Sequence, residues 1–359
     1  MRLKSNSLLL FSALLACSIL RAQSTPQSAL LILSKQDRSL AIVDPASLKI
    51  IAHIPVGDDP HEVIASADGK TAYVSNYGGG SLHTIAVIDL VGQKALAPID
   101  LGPLRGPHGL TFVGGKTWFT AEGAKAIGSY DPETSKVDWV LGTGQNRTHM
   151  IYVSDDLQHI VTTNVASGTV SFIDKSTRAQ GGPPPGGMPP PPGGPSGGMA
   201  PGGPPGPPRS DWNETVVKVG NGSEGFDLSP DGREIWVANS QDGTVSILSV
   251  GAKQISQTLS IDVKGANRLK FTLDGKLALI STLGGSELTI VDVASRGVVK
   301  RLKIGHGAAG IQMKPDGSVA YVACTPDNYV VVVDLKTLEA IGKIEPIGQP
   351  DGMAWAVRK

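Results

Sequence analysis

A unit of roughly 43 residues returns along this chain, which confines it to folds assembled from like pieces that bury their apolar faces against one another. The stretch from Gly57 to Asp89, GDDPHEVIASADGKTAYVSNYGGGSLHTIAVID, carries the unit most fully. Its apolar residues alternate in three short runs, Val63 to Ser66, Ala72 to Ser75 and Thr84 to Ile88, the period of half-buried strands. Between the first two, Ala67-Asp68-Gly69-Lys70 is turn chemistry, with a glycine free to take the positive φ of a tight hairpin. The unit recurs from Pro107, Glu224, Asn267 and Ala309, and no stretch offers an amphipathic helix.

The aspartate that ends the third strand of each unit gives the count: Asp44, Asp89, Asp131, Asp174, a worn copy at Ser249, Asp292 and Asp334. The steps are 45, 42, 43, 75, 43 and 42 residues, and removing the 32 residues from Ala179 to Ser210 restores the outlier to 43. That segment is almost entirely Gly and Pro, cannot bury enough apolar surface to offset its ordering entropy, and is expected to be a disordered insertion between a third and a fourth strand. Ala29 to Ile54 supply a second, third and fourth strand with no first, whereas Asp351 to Val357 supply a first strand alone. Pairing the two termini would complete one four-stranded unit and remove the exposed edges of an open array. The expected fold is therefore all-β: a seven-bladed β-propeller over residues 28–359, closed by its own terminal strands.

Copies such as SPDGREIWVAN (Ser229 to Asn239), KPDGSVAYVA (Lys314 to Ala323) and SADGKTAYVSN (Ser66 to Asn76) resemble the YVTN repeats of bacterial seven-bladed propellers. The resemblance implies the fold and says little about activity, because that scaffold serves many purposes. One unit, with Pro107-His108-Gly109-Leu110 and Ile127-Gly128-Ser129-Tyr130-Asp131-Pro132, also resembles the repeat of the streptogramin B lyase propellers, a metal-dependent group.

Lys plus Arg equals Asp plus Glu at 32 each, so no overall basic field exists to hold nucleic acid. Arg2 and Lys4, the apolar run Leu8 to Leu20 and Arg21-Ala22 have the order of a secretion signal, residues 1–22, too short for a good membrane span. A periplasmic or secreted location is expected. Leu14-Leu15-Ala16-Cys17 also resembles a lipoprotein box, and only lipidation at Cys17 would place the protein on a membrane. Cys324 would then stand alone, which excludes an internal disulfide framework and suits a buried small hydrophobe.

No Cys-x-x-Cys-His, Gly-x-Ser-x-Gly or phosphate-binding glycine loop is present, and His61-Glu62 lacks the second histidine of a zinc-protease helix. What remains is positional. Aligning the units on the residue that opens each innermost strand gives His61, His108, His149, Glu224, Asn267, Ala309 and Asp351. Ring closure turns them into one arc at the mouth of the central channel, with His83 and His306 in loops of the same face and Arg105, Arg147, Arg268, Glu62 and Glu122 nearby. Asn76, Asn164 and Asn239, which end second strands, are expected to satisfy turns. The ligand-binding set expected is His61, His108, His149, Glu224, Asn267, Arg268 and Asp351. His61, His108, His149 and Asp351 are the expected donors to a divalent metal ion. The chain reads as an exported binding module engaging a protein or small molecule at this mouth. The alternative is a metal-dependent lyase or lactone hydrolase on the same arc, with Glu62 or Glu224 taking the proton.

Overall fold

The computed structural model describes residues 23–178 and 209–359. Its strands form seven antiparallel sheets, each a blade. Blade 1 joins Ser28–Ser34, Ser39–Asp44 and Lys49–Pro55 to the C-terminal strand Pro350–Val357, which lies innermost. Blade 2 runs from Pro60, blade 3 from Pro107, blade 4 from Thr148, blade 5 from Ser223, blade 6 from Ala266 and blade 7 from Ala308, each beginning with its innermost strand. The closure expected from the sequence is therefore present: Ser28 pairs with Val357, Leu30 with Trp355 and Ile32 with Met353, and Arg358 N donates to Gln27 O at 2.8 Å.

The third-strand aspartates recur because all but Asp174 cap the turn into the fourth strand. Asp44 accepts from Ala46 N, Asp89 from Val91 and Gly92 N, Asp131 from Glu133 N, Asp292 from Ser295 N, and Asp334 from Lys336 and Thr337 N. Asp174 has no such turn. Its strand runs on to Arg178 and pairs residue by residue with Arg209–Lys218. Arg209 and Ser210, which the sequence assigned to the insertion, thus belong to the fourth strand because they extend that ladder opposite Arg178 and Thr177. The proposed signal and the rest of the Gly/Pro insertion lie outside the described residues.

A bulge at the head of most innermost strands is what builds a mouth. In blade 2, Pro60 pairs with Asn76 and pairing resumes only at Val63 with Val74, leaving His61 and Glu62 out of the ladder. The same skip frees His149 and Met150, Glu224 and Gly225, Asn267 and Arg268, and Ala309 and Gly310. Bulges re-aim side chains and strand an N–H. Here a hydroxyl on the second strand recovers it: Gly109 N donates to Thr120 Oγ1 at 2.9 Å, and Thr120 Oγ1 donates to His149 O of the next blade at 2.7 Å. Thr163 links Met150 N to Glu224 O, and Ser281 links Arg268 N to Ala309 O, in the same manner.

The third residue of each innermost strand is the tightest point of the ring. Gly109, Gly225, Gly310 and Gly352 stand there because a Cβ would sit 2.4, 2.5, 2.2 and 2.3 Å from a carbonyl oxygen of the next blade. Where the residue is not glycine, its side chain enters the channel. Arg268 ion-pairs across it with Glu62, and its Nη1 lies 2.9 Å from Met150 Sδ. This bar separates the histidine-bearing mouth from a channel cavity of about 370 Å³ lined by Phe112, Tyr152, Phe226, Lys270 and Trp355.

Candidate functional site

The second residues of consecutive innermost strands converge at one end of the channel, so the repeat itself assembles the site. Ring centroids of His61 and His108 are 4.9 Å apart, and those of His108 and His149 are 3.8 Å apart. His149 Nε2 donates to Glu224 Oε2 at 2.9 Å, which continues the row into blade 5. Four of the seven expected ligand-binding residues, His61, His108, His149 and Glu224, are thus contiguous. Asn267 is partly exposed and makes no hydrogen bond with them, and Arg268 is turned down the channel onto Glu62. Asp351 is buried beside His61 but is separated from it by Lys35, whose Nζ is 3.3 Å from Asp351 Oδ2 and 2.9 Å from His61 Nε2.

The metal donor set therefore differs from the one drawn from the sequence. Donor atoms of His108, His149 and Glu122 all lie within 4.8 Å of one another, and all three residues are buried. His61 and Asp351 are held instead in a charged group with Lys35 and Asp59, Lys35 Nζ being 3.0 Å from Asp59 Oδ1. Glu122 opens the short 3₁₀ turn Glu122–Ala124 after the second strand of blade 3 and reaches the next blade, where His149 Nδ1 is 2.5 Å from its Oε1. Tyr77 donates to the other oxygen of Glu122 at 2.5 Å and packs its ring 4.8 and 5.1 Å from those of His61 and His108.

Lys35 and Tyr77 were missed, and Glu122 was expected only as a charge near the mouth and not as a ligand, yet the three share a register: each immediately follows the second strand of blades 1, 2 and 3. Each meets the histidine that opens the innermost strand of the following blade. In blades 4 to 7 the same position holds Val165, Ser240, Leu283 and Thr325. Reading this second register beside the first would have found them.

Charge is unevenly placed within the cluster. Burial opposes protonation of His149, but hydrogen bonds to Glu122 and Glu224 on its two nitrogens outweigh it and push the imidazolium up to about 9. Burial raises both glutamates, and the His149 contact more than reverses this, so each carboxyl lies below its ordinary range. Burial, with His149 and His61 adding like-charge repulsion, drives His108 well below the usual histidine range and keeps it neutral. Its Nδ1 is buried with no hydrogen-bond partner among the described residues. Tyr77 is pushed up by burial and then by Glu122, so it remains a donor. Arg147, its side chain 44% exposed, lies 3.4 Å from Glu122 and 3.9 Å from Glu224 at the solvent side of the cluster.

The remaining polar candidates are accounted for elsewhere. His83 pairs with Asp100 at 2.8 Å and His306 with Asp327 at 3.2 Å, both on the surface. Arg105 is exposed. Asn76, Asn164 and Asn239 are buried and donate to Thr84, Thr169 and Thr244 of their own blades, as expected of turn-satisfying side chains. Cys324 is fully buried, its thiol pushed up to about 12 by burial.

No family model matches the chain, and no curated protein matches it. Its likeness to solved structures is one of fold. A functionally unknown protein from Desulfotomaculum acetoxidans superposes with a TM-score of 0.71 at 13% identity, covering 92% of this chain and 99% of that one. A putative 6-phosphogluconolactonase from Bacteroides uniformis gives 0.67 at 15% identity over 91% and 99%. Kuenenia stuttgartiensis hydrazine synthase gives 0.65 at 17% identity over 90% and 99%.

Proposed function

We propose that the protein is a ligand-binding propeller of YVTN-repeat type whose working face is the histidine mouth, and that a divalent transition-metal ion on His108, His149 and Glu122 is its binding element. The observation that carries this reading is the buried Nδ1 of His108, which has no hydrogen-bond partner among the described residues, in a residue whose group with His149 and Glu122 has donors within 4.8 Å of one another. A buried imidazole nitrogen left without a hydrogen-bond partner is costly to keep without a ligand. Two imidazoles and a carboxylate suit zinc or a neighbouring first-row ion better than calcium or magnesium. Glu224, on the other ring nitrogen of His149, is placed as the carboxylate that orients a ligating histidine. On binding an ion, His149 would release the Nδ1 proton it donates to Glu122, and the contact between them would open by about 0.8 Å, since two ligands about 2.0 Å from a tetrahedral ion stand roughly 3.3 Å apart. Export, read from residues 1–22, belongs to the same proposal: an ion-holding module outside the cytoplasm would engage a protein or small molecule presenting an oxygen donor to the metal and an anionic group to Arg147.

The rival reading is a metal-assisted lactone hydrolase or lyase. It is favoured by the fold shared with the putative 6-phosphogluconolactonase from Bacteroides uniformis, and by Glu224 standing beside the cluster as a proton acceptor. Glu62, the other acceptor considered, is occupied by Arg268.

Calorimetric titration of the metal-stripped protein with zinc, copper and manganese separates these readings from an inert polar rim. Zinc or copper is expected to bind once per chain, tighter than about 0.1 mM, or roughly 5.5 kcal/mol. His108→Ala and Glu122→Gln should each weaken it at least about tenfold, since losing even a residue that only orients a ligand costs about 10–100-fold. Binding that neither change alters would remove the proposal.

A further inference from the structure

We infer that the cleft between blades 4 and 5, on the face opposite the histidine mouth, is a second binding site that takes a small aromatic molecule of the phenol or indole class. The residue three before the end of each second strand leans across to the next blade, and in four blades it is aromatic: Tyr73, Trp118, Trp236 and Tyr321. Three of these rings meet a ring on the neighbouring innermost strand, Tyr73 with Phe112 at 5.9 Å, Trp236 with Phe271 at 5.3 Å and Tyr321 with Trp355 at 5.9 Å. Blade 4 carries Val161 at this position, and the residue it faces in blade 5 is Leu228. Both partners of the ring pair are missing.

The other two short pairs are filled. Leu279 packs against Met313 under Leu338, and Leu31 with Ala65 lies in a cluster with Leu90, whose carbonyl is covered by the buried Thr25 at 2.5 Å. Between blades 4 and 5 a cleft of about 660 Å³ remains, walled by Tyr152, Ile160, Val161, Phe172, Leu228 and Val250. That volume is within the range of small-molecule sites, about 300–1,000 Å³.

The polar groups that hold a ring elsewhere persist here without one. At the next interface Trp236 Nε1 donates to Glu234 at 3.0 Å, and Arg296 stands over its ring at 4.9 Å. The equivalents beside the cleft are His159 and Lys253. Lys253 occupies the same left-handed turn position as Arg296, at φ 50° against 60°. It is tethered by an ion pair to Asp174, which also takes a 2.7 Å hydrogen bond from His159. A cation lining a position that no ring among the described residues fills, with a hydrogen-bonding pair at its edge, matches a planar aromatic ligand with one polar substituent.

Titration of the full chain with p-cresol and with 3-methylindole tests this, and it is independent of the mouth because His108→Ala should leave the result unchanged. Saturable one-to-one binding at about 1 mM or tighter is expected for one probe or both, with none for isobutanol. Val161→Trp, which supplies the missing ring from within, should weaken it more than tenfold, and Lys253→Met several-fold. If Val161→Trp loses its cooperative melt, Leu228→Phe closes the cleft from the opposite wall and should have the same effect. Absence of saturable binding by both probes, or equal affinity in the folded wall variant, would overturn the inference.

Discussion

His149 illustrates how far one position departs from what its sequence neighbourhood shows. Its repeat register announces a histidine at the mouth, but its charge is set by Glu122 and Glu224, one from a loop and one from the next blade. Its folded pKa, about 9, lies above the ordinary 6.5. The stabilisation is therefore fully present below about pH 6.5, declines as pH rises through the interval, and is lost above about 9. The two glutamates, held below their ordinary range, contribute above about pH 4.5 and lose that contribution in acid. Urea unfolding of the metal-stripped protein should accordingly show a stability gap between wild type and His149→Gln that is widest near pH 5–6, on the order of 3 kcal/mol, and shrinks towards pH 9. A gap that stays constant across that interval would contradict this assignment of charge. The same residue scale explains why Tyr77 and Lys35 escaped a reading aligned on innermost strands alone, and why Glu122 was placed near the mouth but not among its ligands. They lie one step past the second strand, in loops that the repeat leaves free to vary.

Strands were the more legible scale. Alternating apolar runs, the Asp-Gly turns and the third-strand aspartates identified the blades, because each is demanded by local geometry that every copy repeats. Less legible were the bulges that lift His108, His149 and Arg268 out of the ladder, since no residue type marks them. Their trace is indirect, in the hydroxyls of Thr120, Thr163 and Ser281 that recover the stranded N–H groups. The extension of the blade 4 hairpin to Arg178 and Arg209 was also hidden, because a composition boundary does not mark where pairing ends. The terminal strand makes the element-scale prediction. Removing Asp351 to Lys359 would strip the innermost strand from blade 1 and bare the edge of Ser28–Ser34, whose five residues from Ala29 to Leu33 are fully buried. The truncated chain should aggregate or lose its cooperative melt. A monomeric product with unchanged melting would show that the closing strand is dispensable.

For the molecule as a whole, seven near-equal blades place one residue from each at a single point, so a ring of repeats concentrates chemistry that no short motif in the chain contains. Blades 2 to 5 supply His61, His108, His149 and Glu224 to the mouth, while the Glu62–Arg268 bar closes the channel beneath them. The two sides of the ring are then chemically distinct. One carries imidazoles and carboxylates, and the other carries the cleft left by Val161 and the base of the insertion. Fold neighbours at 13–17% identity share the ring and leave its use open, so the mouth has to be tested directly. Crystals of the full chain soaked in a zinc salt, with anomalous diffraction recorded on either side of the zinc edge, do so at atomic level. The account predicts one full-occupancy peak bounded by His108, His149 and Glu122, with Glu224 still bonded to the far nitrogen of His149. A peak held by other residues, or none where the protein is otherwise ordered, would contradict it.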